Sequence, residues 1–596
     1  MRPSLVLVCT LGFVLSALAP ACLAQTYDRA ELRAHAAVVA QSPQVFGDRL
    51  CVKLAEGCGA ELRGGVLWSR TGTDLAPVQA LFARANAEPL FSAMSWDELD
   101  RLHTNACANL PPDNRPGHLG LWFRLTTDSV AAANALTDAL WSCDLVEHIH
   151  HEPRATPASM PMPAPLAAGD IAPPTPLFTQ LQTTHLPSPT GYGIWRSQSI
   201  YGARGQAVRM RMVEADWYLD HEDIAKLIAA NFLGVVTPQT SGEANHGIAG
   251  TSMICADRNE YGMTGITDEV EIRFLSELTN GGVANTILLA GANSQPGDVS
   301  VMVLMFLLGQ VGTTDWVPME FLQSIFDATL TVTANGLLFV NTGANGANNL
   351  DDPRFLRRFD RGFRDSGAMM IGATLGGPMT RATYSNYGSR IDGNGWGDNV
   401  VACGYGTIFY PNQDIRQAYT SAYAGTSSAV PAVAAIVVAL QGAARAQLDR
   451  SLSRTEILNL LHTHGPLSPD AIGRRPDLFA MLQALGAVDG LETSWPDVPI
   501  GGSVTVDLYG PANSSALLFL SFGTGATNFG YNRKILLDLG SLQTAGFLLL
   551  PSGTASWPLQ VPNDPGLHGL SLYFQAGLMQ GMAPIHVTNS VQVTIL

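Results

Sequence analysis

A Gly-Thr-Ser sequence directly before a long apolar stretch is the first candidate for chemistry in this chain. In AYAGTSSAVPAVAAIVVALQG, Gly425 and Thr426 precede Ser427, and the pattern that follows predicts a buried helix. A serine at a helix start lies where unpaired backbone N–H groups and the helix dipole stabilise negative charge, which favours a nucleophile. The same pattern is typical of an ordinary helix N-cap. Partner residues must therefore decide between the two interpretations.

Three other segments supply such partners. His246 stands before a helical stretch, Glu214 ends the apolar stretch VRMRMVE, and Asn345 lies in a Gly-rich turn after the apolar stretch GLLFVN. Catalytic groups of open α/β sheets collect at the carboxyl ends of the strands. A serine, an imidazole, a carboxylate and an amide on four such segments are a far stronger signal than any one of them.

The elements that must position these residues lie between about 200 and 485. Apolar strand patterns such as AVRMRMV and GLLFVN alternate there with helical patterns such as VPMEFLQSIFDATLTVTA. This alternation predicts an α/β domain whose parallel sheet is covered by helices on both faces. The short run VSVMVLMFLLGQVG predicts a core strand with its continuation, and its second half is a candidate to pair with a substrate.

With these motifs the chain resembles a subtilisin-like serine protease of the subtilase superfamily over about 190–485. The family's GTSxxxP motif is matched at 425–431, its His-Gly motif at 246–247 and its N-x-x-G-x-x-G pattern at 259–265. Asn345 corresponds to the family's oxyanion asparagine. The resemblance holds in the order of the motifs as well as in their residues.

The resemblance implies a secreted serine endopeptidase that hydrolyses peptide bonds through an acyl-enzyme. Ser427 would be the nucleophile, His246 the general base, Glu214 the acid that orients the base, and Asn345 an oxyanion donor. Protein or peptide substrates are expected and no cofactor is required. Structural calcium is common in the family, and because the chain has no DxDxDG cluster, any such site would use carbonyl-rich loops.

Two positions depart from the family pattern. Glu214 stands where the family has aspartate, and Asp216 follows where the family has glycine. Alternate residues of a strand share a face, so geometry leaves both carboxylates open as the acid, and the alignment favours Glu214. Trp217 and the segment HEDI match a branch of the superfamily that carries glutamate at this position. The second departure is HGIAG in place of the usual HGTH.

The first residues predict export. Arg2, the apolar run LVLVCTLGFVLSALA and the small residues before Gln25 predict a signal peptide over 1–24 that is cut after Ala24. Lipid attachment at Cys22 is an alternative that Pro20 disfavours. A membrane span needs about 18 uncharged apolar residues, and we expect no later run to reach that length.

The flanking regions predict further domains around a catalytic domain at 191–486. Strand and helix patterns alternate over 48–150 in the order of a ferredoxin-like α+β unit, and residues 152–190 are a Pro-rich, cleavable linker. By the resemblance, 25–151 is a propeptide that assists folding and inhibits until it is cut, and a permanent accessory domain is the alternative. Short strand patterns over 487–596 predict a C-terminal β-sandwich.

Composition excludes several classes of protein. In 596 residues, 46% are hydrophobic and 14% charged, which excludes a disordered chain. The net charge of −16 argues against a nucleic-acid partner or an anionic membrane.

The cysteines that remain after the signal peptide permit disulfides in an exported protein. The pairs we expect are Cys51 with Cys58, Cys107 with Cys143 and, less securely, Cys255 with Cys403. No CxxC spacing suggests zinc, and strand alternation explains His148, His150 and His151 without a metal.

Two other functions stay open at this stage. The first is an inactive subtilase-like protein whose C-terminal β-sandwich binds a surface or a carbohydrate. The second is a serine-carboxyl peptidase, which shares the GTS motif but uses a glutamate and an aspartate in place of a histidine base. His246 in an intact His-Gly context counts against the latter.

Overall fold

The computed structural model describes residues 27–156, 169–240, 243–309, 315–580 and 583–596. The predicted signal peptide and part of the predicted linker lie outside the described residues. The helices and strands before the linker are α1 (Arg29–Ala40), β1 (Val45–Leu54), β2 (Ala60–Arg63), β3 (Val66–Ser69), α2 (Ala76–Phe82), β4 (Asn86–Pro89), α3 (Trp96–Asn109), β5 (Trp122–Thr126), α4 (Val130–Trp141) and β6 (Val146–Pro153).

A six-stranded parallel sheet forms the centre of the molecule. The elements of this central region are α5 (Ile194–Ser197), β7 (Arg209–Glu214), α6 (Ala244–Cys255), β8 (Glu271–Ser276), α7 (Val283–Ala292), β9 (Val299–Met302), β10 (Met305–Leu307), β11 (Trp316–Pro318), α8 (Gln323–Ala334), β12 (Leu338–Thr342), β13 (Met369–Thr374), β14 (Gly393–Trp396), β15 (Val400–Cys403), β16 (Tyr419–Tyr423), α9 (Thr426–Leu448), α10 (Arg454–His464) and α11 (Leu478–Leu485). The strand order is β14-β13-β12-β9-β7-β8, and each neighbouring pair is parallel. The predicted α/β architecture is confirmed.

Helices cover both faces of this sheet. Met210 and Met212 of β7 face one hydrophobic cluster, which includes residues of α6 and α9. Val213 of the same strand faces the other cluster, with residues of α7 and α8. Because successive strand residues point to opposite faces, a strand covered on both sides buries side chains on both, as β7 does from Met210 to Glu214. Arg211 is buried within this strand and donates to a backbone carbonyl at 2.6 Å.

Helix α9 corrects one expectation from the sequence. It is long and apolar enough to cross a membrane by length and composition, with a mean hydropathy of 1.7, whereas we expected no such run after the first residues. In the fold, 94% of its apolar window is buried. The helix lies against the central sheet, where it contacts β9, β12, β13 and β14, so its apolar surface is accounted for by the protein core.

The region before the linker contains an antiparallel sheet of order β4-β5-β1-β6. On one face, Leu50 and Val52 of β1 pack in a core of this region's own, together with α4. On the other face, Cys51 and Trp122 belong to the cluster that includes α7 and α8. This region is therefore packed directly on one helical layer of the central sheet.

The predicted disulfides do not form. In the part of the chain that the structure describes, Cys51, Cys58, Cys143, Cys255 and Cys403 are free thiols, and each of the three expected pairs includes at least one of them. The alternation of side chains along β1 explains why Cys51 and Cys58 do not form a disulfide. Cys51 points to the interface with the central region, and Cys58 lies in the separate core on the other face.

The three close histidines of β6 are buried in this region. His148 and His150 lie on the face that also includes His35, with ring centroids 5.2 Å apart for His35 and His148 and 6.5 Å for His35 and His150. His150 Nε2 is 3.1 Å from Ser324 Oγ of α8. Among the described residues, no group of three or more His, Cys, Asp or Glu side chains is arranged to hold a metal ion.

The C-terminal region consists of strands: β17 (Leu491–Thr493), β18 (Asp497–Val498), β19 (Ser503–Tyr509), β20 (Ser514–Ser521), β21 (Thr524–Thr527), β22 (Ile535–Leu537), β23 (Gln543–Leu550), β24 (Thr554–Gln560), β25 (Ser571–Gln580), β26 (Ala583–Val587) and β27 (Val591–Ile595). One sheet has the order β17-β19-β24 and a larger one the order β18-β27-β25-β20-β23, with β26 paired to β25. Val506 and Ala576 of the two sheets share a core with the central region. A bridge between Ile200 and Val591 and a 2.8 Å hydrogen bond from Arg204 Nη1 to Thr594 Oγ1 tie this region to the central one.

Candidate active site

Ser427 is the second residue of helix α9, which begins at Thr426. The N-cap position is Gly425, with φ 93° and no side-chain cap hydrogen bond, so the N-cap interpretation of the serine is wrong. Ser427 is half-buried and its side chain borders an open cleft. The serine hydroxyl is therefore available to a substrate at the positive end of the helix dipole.

Gly425 leaves room between the polar groups of the cleft. A Cβ atom at this position would lie 3.2 Å from Asn345 Nδ2, 3.4 Å from Ser427 N and 3.6 Å from Ser427 Oγ. These three groups thus surround one small space in front of the helix. A positive φ together with this crowding explains why the sequence has glycine directly before Thr426.

Asn345 is held by the residue that starts the helix. Its Oδ1 atom accepts hydrogen bonds from Thr426 N at 3.0 Å and from Thr426 Oγ1 at 2.9 Å. The carboxamide oxygen is therefore occupied, and the Nδ2 group is the part of the side chain that faces the space at Gly425. The strand β12 ends at Thr342, which places Asn345 at the carboxyl edge of the sheet.

His246 and Glu214 form a buried pair. His246 Nδ1 lies 2.6 Å from Glu214 Oε1, and the side chains are 6% and 0% exposed. The second carboxylate oxygen of Glu214 accepts a hydrogen bond from Ala215 N at 2.8 Å. Burial alone lowers the pKa of His246, but the charge and hydrogen bond of Glu214, with a contribution from Glu243, outweigh burial and raise this pKa above its ordinary value.

Asp216 has different partners. Its carboxylate accepts hydrogen bonds from the backbone of Trp217 at 2.8 Å, Gln239 at 2.9 Å and Thr240 at 3.0 Å, and from the hydroxyl of Thr237. These contacts fix the 237–240 segment against the end of β7. The two carboxylates that the sequence left open therefore occupy different environments, and Glu214 is the one that contacts the imidazole.

The residues around His246 bring its helix close to β7. A Cβ atom at Gly247 would lie 2.2 Å from Asp216 O and 2.8 Å from the Trp217 ring, so only glycine fits after the histidine. Trp217 Nε1 donates to Thr251 Oγ1 at 3.0 Å, one turn further along α6. Gly247 and Trp217 thus allow α6, which carries His246, to pack closely against the end of β7.

Other motif residues have structural contacts. His221 Nε2 is 3.1 Å from Ala418 O, and its Nδ1 accepts a hydrogen bond from Asp223 N at 3.2 Å. Asp223 accepts hydrogen bonds from Asn259 Nδ2 at 2.9 Å and Met263 N at 2.7 Å. A Cβ atom at Gly262 would lie 2.2 Å from the same carboxylate. The HEDI segment and the N-x-x-G pattern are thus joined by hydrogen bonds, and both lie outside the cleft.

His246, Asn345 and Ser427 line one cleft with a volume of about 310 Å³. The first part of the predicted linker enters this cleft, because Thr156 also lines it and forms an antiparallel bridge with Met305 of β10. Strand β10 pairs with β11 on its own hairpin, so the bridge with Thr156 lies at an edge of this pair. The predicted substrate-pairing segment therefore borders the site.

Residues 234–469 match the family model described as the subtilase family. This segment belongs to the subtilase family. It contains His246, Asn345 and Ser427, whereas Glu214 precedes it. None of the curated protein sequences matches the chain.

Solved structures similar to the chain that contains this subtilase segment include two serine proteases. A serine protease of Aeromonas sobria in complex with its chaperone has 15% identity and a TM-score of 0.41, covering 72% of this chain and 98% of that one. The epidermin leader peptide processing serine protease of Staphylococcus aureus has 12% identity and a TM-score of 0.43, with 73% and 98% covered.

Two tyrosines of the subtilase segment were not predicted from the sequence. Tyr423 donates from its hydroxyl to Ser427 O at 2.9 Å, and its ring meets that of His246 edge-on with centroids 5.9 Å apart. Tyr405 stacks on Tyr423 at 6.0 Å. The sequence signal was only the position of Tyr423 four residues before the serine, which does not reveal contacts to two helices.

Proposed function

We propose that the chain is a serine endopeptidase that hydrolyses peptide bonds of protein or peptide substrates through an acyl-enzyme at Ser427. The observation that carries this proposal is the 2.6 Å contact between His246 and the buried Glu214, with His246 and Ser427 on one cleft. A serine becomes a nucleophile when an adjacent base takes its proton and a third group orients the base.

In this mechanism Ser427 Oγ attacks the carbonyl carbon of the substrate and His246 Nε2 accepts the proton. Glu214 stabilises the imidazolium that forms, and it fixes the tautomer in which Nδ1 carries a proton. His246 then gives the proton to the leaving amine, and a water molecule hydrolyses the acyl-enzyme by the same route. The chain's own residues carry every proton transfer of this sequence.

The oxyanion of the tetrahedral intermediate would lie in the space at Gly425. Asn345 Nδ2 and the backbone N–H of Ser427 both border this space, and the helix dipole favours negative charge there. Removal of one such donor costs about 2.7–4 kcal/mol of transition-state stabilisation in related chemistry. Thr426 contributes by occupying the Asn345 oxygen, so that the amide presents its donor.

We also propose that 25–151 is an inhibitory propeptide and that the linker is cut during maturation. The support is the path of the chain, because Thr156 lies in the cleft and pairs with Met305 as an extended segment. A segment in this place blocks the approach of a substrate to Ser427. Export as a zymogen agrees with the predicted signal peptide, which lies outside the described residues.

The test is cleavage of an unfolded protein by the matured chain, with products identified by mass spectrometry. Internal cuts that disappear in the Ser427→Ala variant would support the proposal. Trimming from the chain ends alone would contradict the endopeptidase assignment. Equal cleavage by Ser427→Ala would remove the serine from the mechanism.

A further inference from the structure

A second cavity, distinct from the active-site cleft, lies on the outer face of the larger C-terminal sheet. Its volume is about 350 Å³. The floor is a row across three strands, in which Leu517 of β20 and Val587 of β26 flank Gly577 of β25. The wall comes from the segment 529–542, which contributes Ile535 and Leu537.

Gly577 creates the depth of this cavity. An added Cβ atom at Gly577 would meet no atom of the described residues within 4 Å, although Gly577 lies inside a strand with paired neighbours on both sides. Glycine in a strand interior weakens the strand and is typical of places where a ligand approaches the backbone closely. The open space above Gly577 therefore has the character of a site rather than of a packing defect.

Of the three polar side chains that line the cavity, Gln575 and His586 already have partners, and Tyr531 is 47% exposed to solvent. Gln575 accepts a hydrogen bond from Leu536 N at 2.9 Å and donates to Lys534 O at 3.1 Å and Thr588 O at 2.9 Å. His586 Nε2 lies 2.7 Å from a carboxylate oxygen of Asp489. A sugar or a charged ligand would lose its hydration here without gaining hydrogen bonds from Gln575 or His586.

We propose that this cavity binds a small molecule through an uncharged hydrocarbon group, an alkyl chain or an aromatic ring, that inserts above Gly577. A volume of about 350 Å³ lies in the range of small-molecule sites, about 300–1,000 Å³, and is lined mainly by apolar side chains. Phe529 and Leu539 of the same lining are 57% and 45% exposed, so a ligand can reach the cavity and cover these side chains. This site is independent of the proteolytic function.

The test uses the full chain with Ser427→Ala, which prevents self-cleavage, and the uncharged fluorescent probe N-phenyl-1-naphthylamine. We expect saturable binding of one probe per chain. Gly577→Leu should weaken binding at least tenfold, because the new side chain occupies the space above the backbone, and Gly577→Ala should have an intermediate effect. Thr505→Leu is the matched control, since it adds a leucine to a strand of the smaller sheet, and it should bind as the parent does.

Competition distinguishes the chemical classes of ligand. Displacement of the probe by 1-decanol or by naphthalene supports a hydrocarbon site and tells an alkyl from an aromatic preference, whereas displacement by maltose would overturn the proposal. Failure of the parent to bind, or unchanged binding by a folded Gly577→Leu variant, would overturn it too. Should the variants not fold, photocross-linking of the parent to a diazirine-bearing alkyl alcohol remains decisive. Labels on 517–519, 529–542, 575–579 or 586–587 support the site, and labels on other described residues contradict it.

Discussion

Glu214 Oε1 lies 2.6 Å from His246 Nδ1, and neither side chain is substantially exposed to solvent. Because this carboxylate is buried, solvent screens its charge only weakly, and its interaction with an imidazolium is strong. Two residues further along the chain, the Asp216 carboxylate accepts hydrogen bonds from backbone N–H groups of the 237–240 segment. The two carboxylates should therefore respond differently to substitution.

Glu214→Gln should lower kcat/KM by about 10²- to 10⁴-fold, because the imidazole loses the group that fixes its tautomer and stabilises its charge. Asp216→Asn should mainly lower the melting temperature, since it removes acceptors from buried donors. Steady-state kinetics and thermal unfolding of both variants check this. A larger loss of kcat in a stable Asp216→Asn protein than in Glu214→Gln would assign the acid to Asp216.

The activity should fall as the pH drops through the pKa of His246, because only the neutral imidazole can accept a proton. Glu214 raises this pKa, so the midpoint of the acid limb of kcat/KM should lie above 6.5, the ordinary value. In Glu214→Gln the residual activity should show a midpoint shifted to lower pH. Identical pH profiles for the two proteins would contradict the coupling.

Asn345→Ala should lower kcat by about 10²- to 10³-fold with little change in KM, because the amide donates to charge that develops only in the transition state. Kinetics with a peptide substrate measure this split. Thr426→Val, which deletes one of the two hydrogen bonds to Asn345 Oδ1, should give a smaller loss of kcat. A rise in KM with unchanged kcat would make Asn345 a ground-state contact.

Tyr423→Phe should lower kcat about tenfold or less, since one hydrogen bond to the Ser427 carbonyl is lost while the ring contact with His246 is kept. Tyr423→Ala should cost more, because the packing against the imidazole disappears as well. Kinetics and melting temperatures of the pair separate the hydroxyl from the ring. Equal losses in the two variants would show that Tyr423 acts through its hydroxyl alone and that its ring contributes nothing to kcat.

The interface between the N-terminal region and helix α8 should lose stability at acid pH. Burial lowers the pKa of His35 and His148 well below 6.5 and that of His150 to about 4, and Arg358 adds to this effect for all three. The unfolded chain then binds more protons than the folded one below about pH 6.5, so stability is complete above this pH and falls as the pH is lowered towards 4. Asp327 acts in the opposite direction, because burial raises its pKa to about 6, but it is one group against three.

Urea unfolding of the Ser427→Ala chain at pH 7.5 and 5.0 tests this expectation. Both ring nitrogens of His148 are buried and have no hydrogen-bond partner among the described residues, so His148→Leu should reduce the difference between the two midpoints. His464→Leu, at an exposed position of α10, is the control. Equal midpoints at the two pH values would contradict the role of the buried histidines.

The sequence predicted the parts of the site that local patterns encode. The strand ending at Glu214 and the helix starting next to Ser427 follow from apolar periodicity and from chain punctuation by glycine. Helix α8 starts at Gln323 and not at Val317, because Pro318 ends a strand and a short 3₁₀ turn intervenes.

Contacts between distant elements could not be predicted. The disulfide predictions were wrong because spacing along the chain does not show where two cysteines lie in the fold. Cys51 and Cys58, for example, are close in sequence but lie in separate cores. The different roles of Glu214 and Asp216 depend on the contacts of the 237–240 segment. The position of Tyr423 between two helices depends on tertiary contacts that local sequence patterns do not show.

The most direct test of the central claim is covalent labelling of the matured chain by a fluorophosphonate, followed by mass spectrometry of the intact protein and its peptides. We predict one label per chain, attached to Ser427, and none in Ser427→Ala. A matured chain that has lost its N-terminal region and still takes no label, or takes it equally in Ser427→Ala, would contradict an activated serine at the start of α9.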